Sequence, residues 1–358
     1  ATQPDRVVYI YSEGSKSVLD KLRSVLQLEA DERSLDPTDP SKIKQLAEQL
    51  AEKYKKDEVT VNITSGLKSW SYFFGIVFDK QPNAAVVYID QNNVLWNYKT
   101  MTGSTDFTFD MHTAFLLYGN PIENNYKKYE SYTEADYKAM KKVENIRGFN
   151  YNDFNSLLTV LDNKRHNVVR NQSRGKFELP TGSYVEWEKT TVEKDGFVRI
   201  CLSKKNGEKA ETCFESPNAV DIAFNSGWFE YKIATILAQW NKAKELCLNC
   251  RFPYKKGIDK NEVDIIVNTG SKILFVECKT QINNTTDIDK FRSVVKGYGG
   301  MGSKGLFITD TPMTDVAKEK CMEHNILSFS LQGSHLGMST EQALFLLLDT
   351  ELYNINAK

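Results

Sequence analysis

The segment NEVDIIVNTGSKILFVECKT, residues 261–280, decides the fold. It contains two short apolar stretches, residues 263–268 and 272–278, with Gly270 and Ser271 between them. Glycine at the first central position of a two-residue loop favours a type II′ turn. The segment therefore predicts a β-hairpin with two antiparallel strands that are apolar on both faces.

The register of this hairpin brings charged side chains together. Counting back from the turn places Asp264 opposite Glu277, with Cβ atoms about 5 Å apart. Glu277 and Lys279 are two residues apart and share a face, and the same register sets Glu262 opposite Lys279. Carboxylates on neighbouring strands suit a hard divalent cation, and a lysine beside them can hold a phosphate or position a water. The alternative is a surface ion pair, which the apolar strands disfavour because isolated charges at a buried sheet are costly.

A third acidic residue precedes the hairpin. Asn225-Ser226-Gly227 leads into a predicted helix, residues 228–246, with apolar residues at helical spacing. Glu230 lies in its first turn, in line with Ile233 and Leu237, and is expected to face the sheet. A first-turn acid is also favoured by the helix dipole, so the residues alone leave both interpretations open.

The arrangement of Asp264, Glu277, Cys278 and Lys279, with Glu230 upstream, resembles the PD-(D/E)XK nuclease superfamily, which has the restriction-endonuclease-like fold. The resemblance covers about residues 226–309. It implies a metal-dependent endonuclease, a phosphodiester hydrolase. Asp264, Glu277 and the Cys278 carbonyl would hold Mg²⁺ or Mn²⁺, Lys279 would orient a water or stabilise the transition state, and Glu230 would assist.

The first 120 residues alternate two kinds of pattern. Short apolar stretches typical of buried strands occur at residues 7–11, 59–63 and 85–89, and helices are predicted at residues 41–55 and 67–78. This alternation predicts a mostly parallel, Rossmann-like sheet. Ligands of such sheets bind beyond the carboxyl ends of the strands.

Two predicted strand ends carry polar loops, SEGSK at residues 12–16 and NITSGLK at residues 62–68. Helix-start N–H groups, hydroxyls and a lysine suit a phosphate or a ribose. The alternative is that Ser12, and Ser65 or Gly66, only cap helices. Neither loop has the G-x-G-x-x-G or Walker pattern, so a dinucleotide cofactor is not indicated.

The N-x-T-S-G-x-K turn after a strand resembles the CARF domains of CRISPR defence proteins, which bind cyclic oligoadenylates across a homodimer axis. A second glycine often stands where this chain has Ser65. The resemblance implies that the ligand-binding residues are Ser12, Glu13, Gly14, Thr64, Ser65, Gly66 and Lys68.

Together the two resemblances cover nearly the whole chain. It looks like the nucleases of type III CRISPR systems that cyclic tetra-adenylate activates allosterically. The expected partners are therefore a nucleic acid substrate, DNA or RNA, a cyclic oligoadenylate and a second copy of the chain. Two alternatives remain: a ligand-responsive, non-catalytic nucleic-acid-binding regulator, and a DNA-repair or restriction nuclease with an ordinary nucleotide-binding domain.

The intervening segment predicts a connector. Helices are expected at residues 133–143 and 151–161, and residues 177–214 alternate as a small antiparallel sheet does. Basic residues, Arg147 among them, interleave with aromatic residues there. They could contact a nucleic-acid backbone, although a solvated face is the alternative.

Composition limits how this protein could bind nucleic acid and in which compartment it is expected. The chain has 358 residues, 41 % of them hydrophobic, and a net charge of −1, so nucleic acid binding must rely on local patches. The six scattered cysteines suit a reducing cytoplasm, and neither a signal peptide nor a membrane span is expected. The predicted class is α/β, with a Rossmann-like CARF domain (1–120), a connector (121–216) and a PD-(D/E)XK domain (217–358).

Overall fold

The computed structural model describes residues 4–25, 30–90, 94–105, 110–117, 120–159, 168–252, 261–282, 284–300, 302–335 and 337–355. The chain divides into two compact units, residues 1–119 and 120–358.

The first unit alternates strands and helices. Its elements are β1 (Val7–Tyr11), α1 (Lys16–Val25), β2 (Ala30–Ser34), α2 (Pro40–Lys53), β3 (Val59–Asn62), α3 (Lys68–Asp79), β4 (Ala84–Ile89), β5 (Leu95–Asn97), β6 (Thr102–Ser104) and α4 (Met111–Leu117). β1 pairs in parallel with β2, and β3 in parallel with β4. β5 and β6 extend the second sheet antiparallel to β4.

One hydrophobic core joins these two sheets. Ile43 of α2 and Phe74 of α3 are buried against Val86 of β4, and Ile10 of β1 and Val61 of β3 pack against the same cluster. The predicted strands at residues 7–11, 59–63 and 85–89 are therefore all present and share one core. β2 was not predicted, because its sequence ADERS has no apolar stretch, and it is extended only by pairing with β1.

The second unit begins with helices and a small sheet. Its first elements are β7 (Lys127–Lys128), α5 (Glu134–Arg147), α6 (Tyr151–Leu158), β8 (Arg174–Glu178), β9 (Tyr184–Glu188), β10 (Gly196–Ser203), β11 (Lys209–Ser216), α7 (Ala219–Ala223) and α8 (Gly227–Leu237). β8 to β11 form an antiparallel sheet in the order β11-β10-β9-β8, which confirms that prediction.

A mixed six-stranded sheet forms the centre of the second unit. The remaining elements are β12 (Glu245–Phe252), β13 (Asn261–Asn268), β14 (Ile273–Lys279), α9 (Thr286–Tyr298), β15 (Ser303–Thr309), α10 (Asp315–Glu323), β16 (Ile326–Ser330) and α11 (Thr340–Tyr353). The strand order is β16-β15-β14-β13-β12-β7. β14, β15 and β16 are parallel, whereas β14, β13, β12 and β7 alternate in direction.

The predicted hairpin is present in the predicted register. The Thr269 N–H donates to the Lys272 carbonyl at 3.0 Å, and Gly270 has a φ of 86°, as the first central position of a type II′ turn requires. Ile265 pairs with Val276, and this register sets residue 264 opposite residue 277.

The predicted helix at residues 228–246 was too long. α8 ends at Leu237, and the chain turns through Trp240 into β12, which begins at Glu245. The turn lets β12 pair with β13 and bury Leu248 and Phe252 in the sheet. Residues of β12 gain more from burial beside the apolar strand β13 than they would from continuing the helix that precedes them.

The hydrophobic core of the second unit continues across the described parts of residues 121–216 and 217–358. Met140 of α5 and Trp187 of β9 belong to the same buried cluster as Trp228 of α8 and Val276 of β14. The boundary between connector and nuclease domain at residues 216 and 217 stays a prediction. The α/β class is confirmed.

Within the described ranges, no helix has both the length and the hydrophobicity that crossing a bilayer requires. All six cysteines are free thiols.

Candidate active site and ligand loops

Three of the predicted catalytic residues lie together at the ends of β13 and β14. The Cys278 N–H donates to Asp264 Oδ2 at 2.7 Å, so the Asp264 carboxylate reaches across to β14. Lys279 Nζ lies 2.6 Å from Glu277 Oε1. The Glu277 side chain is 16 % exposed and that of Lys279 36 %, so the group is accessible from one side. Glu262 pairs instead with Arg251 of β12, at 2.9 Å.

Glu230 reaches the same group from α8, which packs against β12, β13 and β14. Burial raises the pKa of Glu230 well above its usual value, and the negative charge of Asp264 raises it further. The start of α8 is fixed by a close approach, because a Cβ on Gly227 would lie 1.9 Å from the Asp221 carbonyl oxygen. Only glycine fits at this position, so the Asn-Ser-Gly sequence determines where Glu230 lies.

The electrostatics of the group show an excess of negative charge. Burial raises the pKa of Asp264, and burial followed by the charge of Asp264 raises the pKa of Glu277 to about 8. Burial opposes the charge on Lys279, but Asp264 and Glu277 raise its pKa above the usual range. One lysine therefore faces three carboxyl groups whose pKa values are all raised, and an added cation would favour their ionised forms.

The donor set fits a hard divalent cation better than zinc. Among the residues that the structure describes, no three His, Cys, Asp or Glu side chains form a ready metal cage. Two carboxylates with one main-chain carbonyl are nevertheless typical of Mg²⁺, which retains several waters. Asp264 and Glu277 would supply the carboxylates. The Cys278 side chain is buried, so Cys278 would offer the cation its main-chain carbonyl oxygen and not its thiol. Glu277 would exchange its Lys279 partner for the cation.

Sequence reasoning missed a buried ion pair behind this group. Arg147 of α5 and Asp310, which follows β15, are 2.6 Å apart, with side chains 15 % and 7 % exposed. The Arg147 guanidinium also lies over the Trp228 ring, and the Asp310 N–H donates to the Lys279 carbonyl at 3.3 Å. The pair thus links the start of α8 to the backbone of Lys279. Arg147, expected on a basic surface, is instead largely covered by protein, and no local signal joins residues 163 positions apart.

Asn249 is a second residue that the sequence did not indicate. Leu248 pairs with Ile265 and Cys250 with Val263, so Asn249 lies opposite Asp264. Its φ of 55° is left-handed, which is unusual within a strand. Residues in such conformations concentrate at functional sites. Asn249 was not indicated because no strand was predicted between the helix at residues 228–246 and the hairpin.

The loop at residues 12–16 forms a compact turn after β1. The Ser15 N–H donates to the Ser12 carbonyl at 2.9 Å, and the Ser12 N–H donates to Ser15 Oγ at 3.0 Å. Glu13 accepts a hydrogen bond from the Ser34 hydroxyl at 3.1 Å. Gly14 lies between Glu13 and Ser15 in the turn. The loop is therefore held by its own serines and by the end of β2.

The loop at residues 62–68 is exposed and opens a helix. Thr64 Oγ1 accepts from the Ile89 N–H at 2.8 Å, and Gly66 has a φ of 113°. Leu67 is the N-cap of α3 and makes no side-chain cap, so neither Ser65 nor Gly66 caps this helix. Lys68 is exposed in the first turn. In the described part of the first unit, no hydrogen bond joins this loop to residues 12–16.

Comparison with known proteins gives a fold match over nearly the whole chain. Neither a protein-family model nor a curated protein matches the sequence. The structure of Can2 from Sulfobacillus thermosulfidooxidans in complex with cyclic tetra-adenylate is similar at a TM-score of 0.60 and 17 % identity, covering 98 % of this chain and 91 % of that one. Protein VC1899 from Vibrio cholerae is similar at a TM-score of 0.64 and 16 % identity, covering 91 % and 87 %.

A repair endonuclease from Pyrococcus abyssi aligns with 45 % of this chain and 78 % of its own, at 14 % identity and a TM-score of 0.22, which is too low to support an argument. The first two similarities establish that this two-unit α/β fold occurs in Can2 and VC1899.

Proposed function

We propose that the protein is a metal-dependent nuclease that a cyclic oligoadenylate activates. The observation that carries this proposal is the meeting of Asp264, Glu277 and Lys279 at the end of one hairpin, with Glu230 beside them. The excess negative charge and the oxygen donors suit Mg²⁺ or Mn²⁺. When bound, such an ion supplies charge stabilisation at a scissile phosphate and a bound water of lowered pKa.

The side chains of this chain have separate parts in that reaction. The cationic Lys279 donates hydrogen bonds to a phosphate oxygen or to the attacking water, where negative charge develops. Asp264 is oriented by the Cys278 N–H, which donates to Oδ2 and leaves Oδ1 as the oxygen that would bind the cation. Glu230, with its strongly raised pKa, is suited to hold a proton and so to position a water or assist in proton transfer.

Activation is assigned to the first unit. Its exposed loop at residues 64–68 presents the uncapped start of α3 and a lysine, which suit the phosphates of an anionic ligand. Ser12, Glu13 and Gly14 would contribute from the other strand end. Can2, which shares the fold, has been seen with cyclic tetra-adenylate. We therefore propose this molecule as the activator.

A homodimer is part of the proposal. Tyr72 and Ile76 lie one helical turn apart on α3, and they are 61 % and 40 % exposed. Apolar groups on one helix face next to the ligand loop suit contact with a second copy. A two-fold axis there would match the symmetry of cyclic tetra-adenylate. Binding that favours one dimer arrangement over another would shift the nuclease sites toward their active form.

In this reading the protein is an effector of type III CRISPR antiviral defence that cuts DNA or RNA. The test is to incubate it with plasmid DNA, single-stranded DNA and RNA, with Mn²⁺ or with EDTA, and with or without cyclic tetra-adenylate. Cutting that needs both the metal and the cyclic nucleotide supports the proposal. Binding of nucleic acid without cutting would favour a non-catalytic regulator, and cutting at full rate without the ligand would favour a repair or restriction enzyme.

A further inference from the structure

A cavity of about 350 Å³ opens beside the carboxyl ends of β15 and β16. Its volume is at the small end of the range for small-molecule sites, about 300–1,000 Å³. The proposed nuclease chemistry does not use it. The residues that matter for its chemistry are Met313, Lys318, Phe329, Ser330, Gln332 and His335.

This cavity is a close neighbour of the proposed catalytic group. Thr309 of β15 pairs with Lys279 on one side and with Ser330 on the other. Neighbouring strands are about 4.8 Å apart, which puts the Ser330 backbone about 10 Å from that of Lys279. The Asp310 N–H donates to the Lys279 carbonyl, and the Asp310 carbonyl accepts from the Gln332 N–H at 3.1 Å. The cavity and the site are therefore fixed to each other by backbone hydrogen bonds.

One wall of the cavity consists of two stacked aromatic rings. The His335 ring stacks on Phe329 with centroids 4.9 Å apart and planes 6° apart, and its Nε2 lies 3.3 Å from the Leu331 carbonyl oxygen. A Cβ on Gly333 would come within 3.1 Å of the Ser330 carbonyl oxygen and 3.3 Å of His335 Cε1. The glycine thus lets the loop fold tightly enough to hold the imidazole flat against Phe329.

The rest of the lining is mixed: Pro312 and Met313 are apolar, and beside them lie polar groups and one cation. Lys318 is 51 % exposed and lies 3.4 Å from Asp315, whose side chain is fully exposed. Such a surface pair is weak, so the ammonium group can take a phosphate as its partner instead. Gln332 is exposed at the rim and offers amide donors and acceptors. A flat aromatic surface, hydrogen-bonding groups and a cation are what proteins use to hold an unpaired nucleotide.

We propose that this cavity binds one base of the substrate strand, next to the phosphate that is cut. The base stacks on His335, its edge meets Gln332, and Lys318 holds the adjoining phosphate. This inference rests on the proposed nuclease function. It adds that a fixed number of nucleotides separates the bound base from the phosphodiester bond that is cut. It also requires that the substrate be unpaired at that nucleotide.

The experiment removes single bases from the substrate. Fluorescent single-stranded DNA and RNA oligonucleotides, each with one abasic position, are titrated against the full-length Glu277→Gln variant with Mn²⁺ and cyclic tetra-adenylate, so that affinity is measured without cutting. An abasic position at one place relative to the cut should weaken binding about five- to 100-fold, as loss of one stacked base does. In Glu277→Gln/His335→Ala this penalty should disappear. In Glu277→Gln/Lys318→Ala affinity should fall at every position alike.

Tyr137→Ala is the matched control, because Tyr137 is an exposed aromatic residue that lines a different recess, near Tyr129. On the Glu277→Gln background it should keep the position-dependent penalty. A flat abasic scan, a penalty that survives His335→Ala, or no oligonucleotide binding at all would each overturn this inference. Cutting of the same oligonucleotides by the unmodified protein shows separately whether the proposed nuclease function stands.

Discussion

The end of the β13–β14 hairpin and the loop at residues 64–68 carry the two proposed activities, and they are built differently. Asp264 and Glu277 are fixed by a backbone N–H and by Lys279 over a sheet buried on both faces. Thr64, Ser65, Gly66 and Lys68 are all exposed, and the loop is held by a few hydrogen bonds at its base. Chemistry needs groups placed before the substrate arrives, whereas a sensing loop can be ordered by its ligand.

The largest expected effect tests the group at the end of the β13–β14 hairpin. Lys279→Met should lower the cutting rate at least about 100- to 1,000-fold, because it removes a donor aimed at developing negative charge. Binding of cyclic tetra-adenylate should stay within about twofold of the unchanged protein. Cutting rates and ligand titrations of the same preparations measure both.

Lys290→Met is the control for that variant, since Lys290 is a surface lysine, 78 % exposed, on α9. It should cut at the normal rate. A Lys279→Met protein that cuts normally would remove the catalytic assignment and leave the ligand loop as the only functional site in the comparison.

The next effect tests whether the fixed group depends on Arg147. Arg147→Ala leaves the Asp310 carboxylate buried without its partner and should cost about 3–5 kcal/mol in the free energy of unfolding of the second unit. Chemical denaturation measures it, followed by tryptophan fluorescence, to which the buried Trp187, Trp228 and Trp240 of the second unit contribute. Arg147→Met/Asp310→Leu, which removes both charges, should recover most of the loss. If the single variant is as stable as the unchanged protein, the ion pair does not hold the site together.

A smaller effect tests the exposed loop. Lys68→Ala should weaken cyclic tetra-adenylate binding about 10- to 100-fold, through loss of a charge-assisted hydrogen bond to a phosphate. Cutting at saturating ligand should recover to near the normal rate, since Lys68 lies in the other unit from the catalytic group. Lys80→Ala, at the opposite end of α3, serves as the matched control and should bind normally. Equal affinity for all three proteins would place the ligand elsewhere.

The smallest effect concerns the strained residue opposite Asp264. Asn249→Gly should change the free energy of unfolding by less than about 1 kcal/mol, because glycine adopts the left-handed conformation freely. Asn249→Val should be destabilising by more than this, since a β-branched side chain is poorly tolerated there. If Asn249→Gly is stable yet cuts slowly, the Asn249 amide acts in the site rather than only shaping the strand.

Much of the architecture followed from local patterns. Apolar stretches located β1, β3, β4, β13 and β14, and the Gly270 turn determined the hairpin register, so opposition of Asp264 and Glu277 was predictable from the sequence. β2 and β12 were not, since one lacks apolar residues and the other follows a helical pattern. Each is a strand because of the neighbour with which it pairs.

The sequence by itself determined the hairpin, the turn glycine and the spacing that puts Glu277 and Lys279 on one face. Tertiary structure alone decided that Arg147 pairs with Asp310, that Asn249 lies opposite Asp264, and that His335 lies flat on Phe329 of β16, two strands from β14. The physical reason is the separation along the chain over which each interaction acts. Turn geometry and strand alternation act over a few residues, whereas burial and charge pairing act between segments that meet only after the chain has folded.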